Sequence, residues 1–200
     1  MKWVRRLDSR SAVRSQSTFR NALRARDAGC AISGTRNPDG CIEAGDWVSY
    51  EAAHVFPLAC GSIWNRRGYG RFITDMPDSP LSSRINSPQN GLLLKSNIHQ
   101  WFDQYLISAN PDDGYKVVSF SIDDQGYDGR ILDPVCRDPQ DPHHVSDVLL
   151  RWHFHQSILA NMRGAGEPIM EGYIPPRDDM IGGIPASPYK QGRQQLEITA

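Results

Sequence analysis

Asn90-Gly91-Leu92-Leu93-Leu94-Lys95-Ser96-Asn97-Ile98-His99-Gln100-Trp101-Phe102-Asp103 is the stretch on which the fold turns, together with an upstream partner, Glu51-Ala52-Ala53-His54-Val55-Phe56-Pro57. Residues 91–94 form a short continuous apolar run, the signature of a buried strand. Ser96 can cap the helix that follows, with His99 in its first turn and Trp101, Phe102 and Tyr105 along its length. Upstream, Val48, Tyr50 and Ala52 alternate with Ser49 and Glu51, which predicts a strand from Trp47 to about Val55 with one buried face, and Pro57 stops it. The pattern therefore sets His54 at a strand end, Asn90 at the start of a second strand and His99 on a helix.

Working outward, residues 11–27 read as an amphipathic helix that buries Phe19, Ala22 and Leu23 and leaves Arg14, Arg20, Arg24 and Arg26 largely in solvent. Cys30 to Gly34 reads as a short strand and turn, and Asn37-Pro38-Asp39-Gly40 as a turn. Residues 58–89 show neither a period of 2 nor one of 3.6 and read as a long excursion between two strands. Arg66, Arg67 and Arg71 interleave there with Trp64 and Tyr69, which suits phosphate contact and base stacking, or a satellite apolar cluster over the core. Beyond the first helix, 115–122 alternates as a strand and 130–132 is a short extended piece, together a β-hairpin. Residues 144–162 carry Val148, Leu149, Trp152, His155, Ile158, Leu159 and Met162 at three- and four-residue spacings, an amphipathic helix ending near Gly164. The domain reading is a basic N-terminal helix over 1–27, a core domain over 28–163 with the 58–89 insertion, and a Gly/Pro-rich extension over 164–200, in the α+β class.

The first 26 residues hold eight Lys/Arg against one acid, residues 61–100 five against two, and residues 101–150 three against ten acids. A chain with net charge of only −1 is thus polarised, and one side of it suits a polyanion. No run of 18 apolar residues occurs and the start lacks an apolar leader, so the expected location is intracellular, cytoplasmic or nuclear, with no membrane partner. The basic, serine-containing N-terminus makes organelle targeting the alternative. Cys30, Cys41, Cys60 and Cys136 contain no Cys-x-x-Cys pair, so reduced thiols are expected, a structural zinc built from distant Cys and His being the alternative.

His54 has the chemistry of a general base near neutral pH, provided another group orients it. Asn90 offers an uncharged amide that can hold the loop bearing His54. His99 offers a ring nitrogen to a divalent metal, and Asp103, one helical turn later on the same face, can orient His99 or a metal-bound water. These three segments resemble the HNH family of nucleases, also called ββα-metal or His-Me finger nucleases, in the branch with Ala-Ala-His-Ile/Val-x-Pro, Asn-Gly-Leu-Leu-Leu and His-x-x-Phe-Asp motifs. Cys30-x-x-x-Gly34 resembles the family's opening Cys-x-x-Thr-Gly, with Ser33 in place of threonine. The likeness covers about residues 18–122, and Arg151 through Pro168 is similar to an extension of fungal members.

The resemblance implies a ββα-metal (HNH-like) core with an N-terminal helix, a further β-hairpin and a C-terminal helix. It further implies cleavage of DNA, or of RNA, that leaves a 5′-phosphate, with His54 as base, Asn90 as orienting residue, and His99 with Asp103 at a Mg²⁺ or Mn²⁺ ion. Ala53 departs from the pattern, because many members carry Asp or His there as a second ligand. Two other readings compete. One is a repurposed scaffold that binds a small apolar molecule among Trp64, Tyr69 and Phe72 and catalyses isomerisation or cyclisation; the other is a non-catalytic interaction module.

Overall fold

The three leucines at 92–94 are wholly buried, which is possible only because both faces and both edges of their strand are covered. In the computed structural model, which describes residues 16–76 and 83–162, this strand is β2 (Gly91–Lys95) and pairs antiparallel with β1 (Tyr50–His54). Their register sets His54 opposite Gly91 and Tyr50 opposite Lys95. The chain turns straight from β2 into a helix, Ser96–Asp103, which packs back on β1 and buries Ile98 and Phe102. Lys95, rather than Ser96, occupies the N-cap, and no side chain caps the helix. The helix stops at Asp103 and Tyr105 adopts φ 60°, so the helix is shorter than the sequence pattern predicts. Two strands and one helix thus form an HNH-like ββα core.

The N-terminal helix α1, described over 16–27, packs on this core through Phe19 and Leu23, both buried as expected. It approaches so closely that a Cβ at Gly91 would sit 2.5 Å from the Phe19 ring and 2.8 Å from Leu23. Arg26 departs from expectation: it is buried, not solvated. Its guanidinium forks onto the Asp27 carboxylate and donates to the carbonyls of Pro88 (2.9 Å), His143 (2.8 Å) and Gly91 (2.8 Å). Asp27 in turn accepts the backbone N–H of Leu93 at 2.8 Å, and Leu93 O accepts from Ala31 N at 2.9 Å. The second edge of β2 is therefore closed by a carboxylate and by the 29–31 segment. The amphipathic pattern misses this, because a charged residue with a complete set of buried partners looks like any surface arginine.

Among the described residues, four further helices follow α1 in chain order: α2 (Asp39–Glu43), α3 (Gly61–Arg67), α4 (Ser96–Asp103) and α5 (Asp147–Asn161). Val48, expected on the buried face of a strand from 47, precedes β1 and is exposed. The 58–89 excursion is not irregular: it holds α3 and short 3-10 turns at Leu58–Cys60, Tyr69–Phe72 and Pro88–Asn90. Seven residues make only two helical turns, too few to display a period.

The second hairpin pairs β3 (Ile107–Asn110) with β4 (Lys116–Ser119), while Ile131 contributes only a single bridge to Lys116. The sequence pattern has the partners differently because β3 buries a polar residue, Ser108, which breaks the apolar run. Ser108 faces His153 on α5, with Oγ 2.8 Å from its Nδ1; Nε2 lies 3.1 Å from Phe102 O, and the imidazole stacks on Phe102 at 3.7 Å. The buried face of α5 is accordingly Leu149, Leu150, His153, Gln156 and Ser157. Of the face expected from apolar spacing, only Leu149 is fully buried and His155 is exposed. A fully hydrogen-bonded histidine can occupy a core position that a hydrophobicity count gives to another face. Among the described residues no disulfide joins the four cysteines, and no helix is long and apolar enough to cross a membrane. The 163–200 stretch and residues 1–15, including Arg14, lie outside the described residues.

Two outcomes follow. Replacing Arg26 by Met strands a buried carboxylate and is expected to cost about 3–5 kcal/mol in urea unfolding; a loss under about 1 kcal/mol contradicts the role assigned to the pair. Burial lowers His153 to about 3, so the folded state keeps it neutral while the unfolded chain protonates near 6.5. Its contribution is intact above pH 6.5 and falls by up to about 1.4 kcal/mol per pH unit as pH drops towards 3. The unfolding free energy of a His153→Gln variant should lack that part of the pH slope.

Candidate active site

β1 carries its last residue, His54, to the edge of α1, where the imidazole stacks on Phe19 with centroids 4.0 Å apart and planes inclined by 14°. Its Nε2 lies 3.0 Å from Asn86 Oδ1. An amide oxygen can only accept, so Nε2 carries the hydrogen and Nδ1 keeps its lone pair. Burial pushes His54 down to about 4, against the Asn86 hydrogen bond and the Asp103 charge, which raise it, and with the positive His99 adding to the fall. At neutral pH His54 is an uncharged, oriented proton acceptor.

Asn90 is wholly buried. Its Oδ1 accepts from Phe56 N at 2.7 Å, and its Nδ2 donates to Phe56 O at 3.1 Å and Ile85 O at 2.9 Å. Val55 N donates to Asn90 O at 3.0 Å. The side chain thus acts as one more backbone partner for Phe56, and it fixes the turn after His54 to the segment that presents Asn86. Aspartate in its place would carry a buried charge and lose two donors, and leucine would leave the Phe56 amide unsatisfied.

His99 sits on α4 with a carboxylate at each ring nitrogen: Glu51 Oε2 at 2.6 Å from Nδ1, and Asp103 Oδ2 at 3.2 Å from Nε2. Burial works against the imidazolium, but the hydrogen bonds and charges of Asp103 and Glu51 outweigh it and hold His99 up at about 9. Glu51 is lowered, first by its hydrogen bond from His99. The two histidines are therefore opposites, His54 neutral and His99 positive.

Among the described residues no three His, Cys, Asp or Glu side chains are grouped to hold one ion, which leaves the distant Cys/His zinc without a site there. His99 and its carboxylates offer something less enclosed. The two ring nitrogens face different edges, so a single ion can meet one of them with its neighbouring carboxylate, giving one nitrogen and one carboxylate ligand. That donor set fits Mg²⁺ or Mn²⁺, which keep several waters, and Ala53, fully buried, adds nothing to it.

Other expected contacts are distributed differently. Trp64 is 1% exposed, donates to Ser83 O at 2.6 Å and packs edge-on against Phe56 at 5.2 Å. It is a core residue and offers no face to a base. Tyr69 and Trp152 lie on Phe56 at 4.8 and 4.2 Å, so these rings fill one another's faces. Arg66 and Arg67 close the last turn of α3, and Arg66, Arg67 and Arg71 are all exposed. Sequence reasoning overlooks three participants. Asn86 stands inside an Asn-Ser-Pro turn, Phe19 lies on a remote helix, and Glu51 resembles any solvent-facing strand residue; only the last carries a signal, its place three residues before His54.

Residues 30–110 match the family model described as HNH endonuclease, an interval that holds His54, Asn90, His99 and Asp103. No curated protein and no solved structure matches the chain.

The low position of His54 is open to direct measurement in the metal-free protein. Its imidazole carbon and proton resonances should stay those of the neutral ring down to about pH 5, and Asn86→Ala should change the tautomer balance. A midpoint near 6.5 would contradict the buried, amide-held ring.

Proposed function

We propose that this protein, whose residues 30–110 match the family model described as HNH endonuclease, is a metal-dependent endonuclease that hydrolyses phosphodiester bonds of DNA, and of RNA where it can be accommodated. The observation that carries this reading is the pairing at the end of β1: a neutral, clamped His54 next to a His99 flanked by Glu51 and Asp103.

His54 Nδ1 takes a proton from water as the water oxygen attacks phosphorus. The bond from phosphorus to the 3′ oxygen breaks, leaving a 5′-phosphate, and the leaving oxygen gains its proton from solvent. Asn86 and Phe19 hold the ring so that the lone pair, not an N–H, meets the water. Asn90 keeps the turn behind His54 from shifting, and small displacements of a base cost large factors in rate. A Mg²⁺ or Mn²⁺ ion held by His99 with Asp103 or Glu51 would supply charge stabilisation at the phosphate. Because His99 holds its proton in the metal-free protein, binding of such an ion would compete with that proton and would strengthen as pH rises. Arg66, Arg67 and Arg71 are the candidates for contact with flanking phosphates through exposed guanidinium groups.

Supercoiled plasmid nicking tests the proposal. Wild type with Mg²⁺ or Mn²⁺ should nick, and EDTA should abolish it. His54→Ala and His99→Ala should each lose at least about a hundredfold in rate, the range of a general base. Equal nicking in every sample removes the reading.

A further inference from the structure

Beside Phe19 and Leu23, α1 carries Arg20 and Arg24, four residues apart and so on one side of the helix. Arg24 Cζ lies 5.1 Å from the centroid of the Trp47 ring. Trp47 meets Tyr50 edge-on at 6.1 Å, and Lys95 Nζ lies 4.5 Å over the Tyr50 ring. Residues from α1, the segment before β1, β1 itself and the end of β2 thus join in one row of alternating cations and rings, with Arg20 at its end.

Among the described residues no acid pairs with this row: Arg20, Arg24 and Lys95 make no ion pair. Arg24 Nε is buried without a hydrogen-bond partner, and burial together with the like charge of Arg20 lowers Arg24. Arg26, two residues later, is the contrast: every side-chain N–H it owns is spent on Asp27 or a carbonyl. The same helix therefore supplies one arginine whose donors are all spent inside the core and one that is held by an aromatic face and keeps a donor without a hydrogen-bond partner. An arginine stacked on an aromatic ring keeps its outer edge for a planar, bidentate anion such as a phosphate.

Its position identifies the anion. Tyr50 and His54 are four residues apart on β1, about 13 Å, which is the rise of about four nucleotides of a duplex strand. Arg20 adjoins Phe19, the residue stacked on His54. We propose that the cations Arg20, Arg24 and Lys95, backed by Trp47 and by the buried Tyr50 ring, form a second nucleic-acid contact surface, which holds the phosphodiester backbone flanking the bond presented to His54. This rests on the nuclease reading for its partner, although it concerns binding and not catalysis.

The test is equilibrium binding of the full chain to a fluorescein-labelled DNA duplex, by anisotropy in EDTA, between about 50 and 200 mM salt. Removing two phosphate contacts in the Arg24→Gln/Lys95→Gln double variant should weaken binding about tenfold or more and reduce the slope of log affinity against log salt by about 1.8. Arg24→Lys/Lys95→Arg, which keeps both charges, should restore the slope. The double variant should keep a cooperative thermal transition within about 8 °C of wild type, since it loses two cation–ring contacts and strands no acid. An affinity and slope equal to wild type overturn the row, and so does a loss of binding to anionic vesicles or polyglutamate with DNA binding intact. Nicking by wild type separates the two ideas: a chain that nicks but whose double variant binds normally keeps the nuclease reading and loses the row. A chain that fails to nick, yet loses DNA binding in the double variant, does the reverse.

Discussion

The buried ion pair between Arg26 and Asp27 is the constraint on which the architecture hangs. Removing two charges from water is costly, and the return comes only if every donor and acceptor is met. Here the guanidinium reaches Asp27 and the carbonyls of Pro88, Gly91 and His143, while the carboxylate takes the Leu93 amide. One helix end is thereby tied to the edge of β2, to the turn before it and to the loop before α5. Those are the pieces that surround Asn90. The pair therefore fixes the frame in which the carboxamide finds Phe56 and Ile85, and through them the position of His54.

Within that frame, two histidines about one strand and one helix apart are driven to opposite states by their neighbours. His54 has a phenyl ring on its face and an amide oxygen at Nε2, so burial dominates and the ring stays neutral. His99 has carboxylates at both nitrogens, so charge dominates and the ring holds its proton. The separation of roles comes from partners and not from residue type, which is how a site with two imidazoles avoids two equal bases. His153 shows the third outcome, an imidazole used for packing, satisfied by Ser108 and the Phe102 carbonyl.

Much of the core was legible because its features are local. Strand β2 is an unbroken apolar run, α4 begins where that run meets polar residues, and a proline ends the strand segment bearing His54. The excursion of 58–89 was not legible, since α3 is too short for periodicity and the aromatics of the excursion find partners outside it, Trp64 in Phe56 and Tyr69 in Trp152, the latter over eighty residues away along the chain. The hairpin partner of β4 was hidden by the buried hydroxyl of Ser108, and the buried face of α5 by the imidazole of His153.

Composition and order alone placed His54 at a strand end and His99 on a helix, since hydrophobic period and breaker residues act over a few positions of chain; Asn90, read as the start of a strand, instead closes the 3-10 turn Pro88–Asn90 just before β2. Only the tertiary structure decided that Arg26 is internal while Arg24 lies over Trp47 with no acid paired to it among the described residues, that Trp64 is sealed in the core, and that Glu51, Asn86 and Phe19 complete the site. The physical reason is that the charge state and accessibility of a polar side chain are set by what packs against it, and those neighbours come from segments whose separation in sequence carries no local signal.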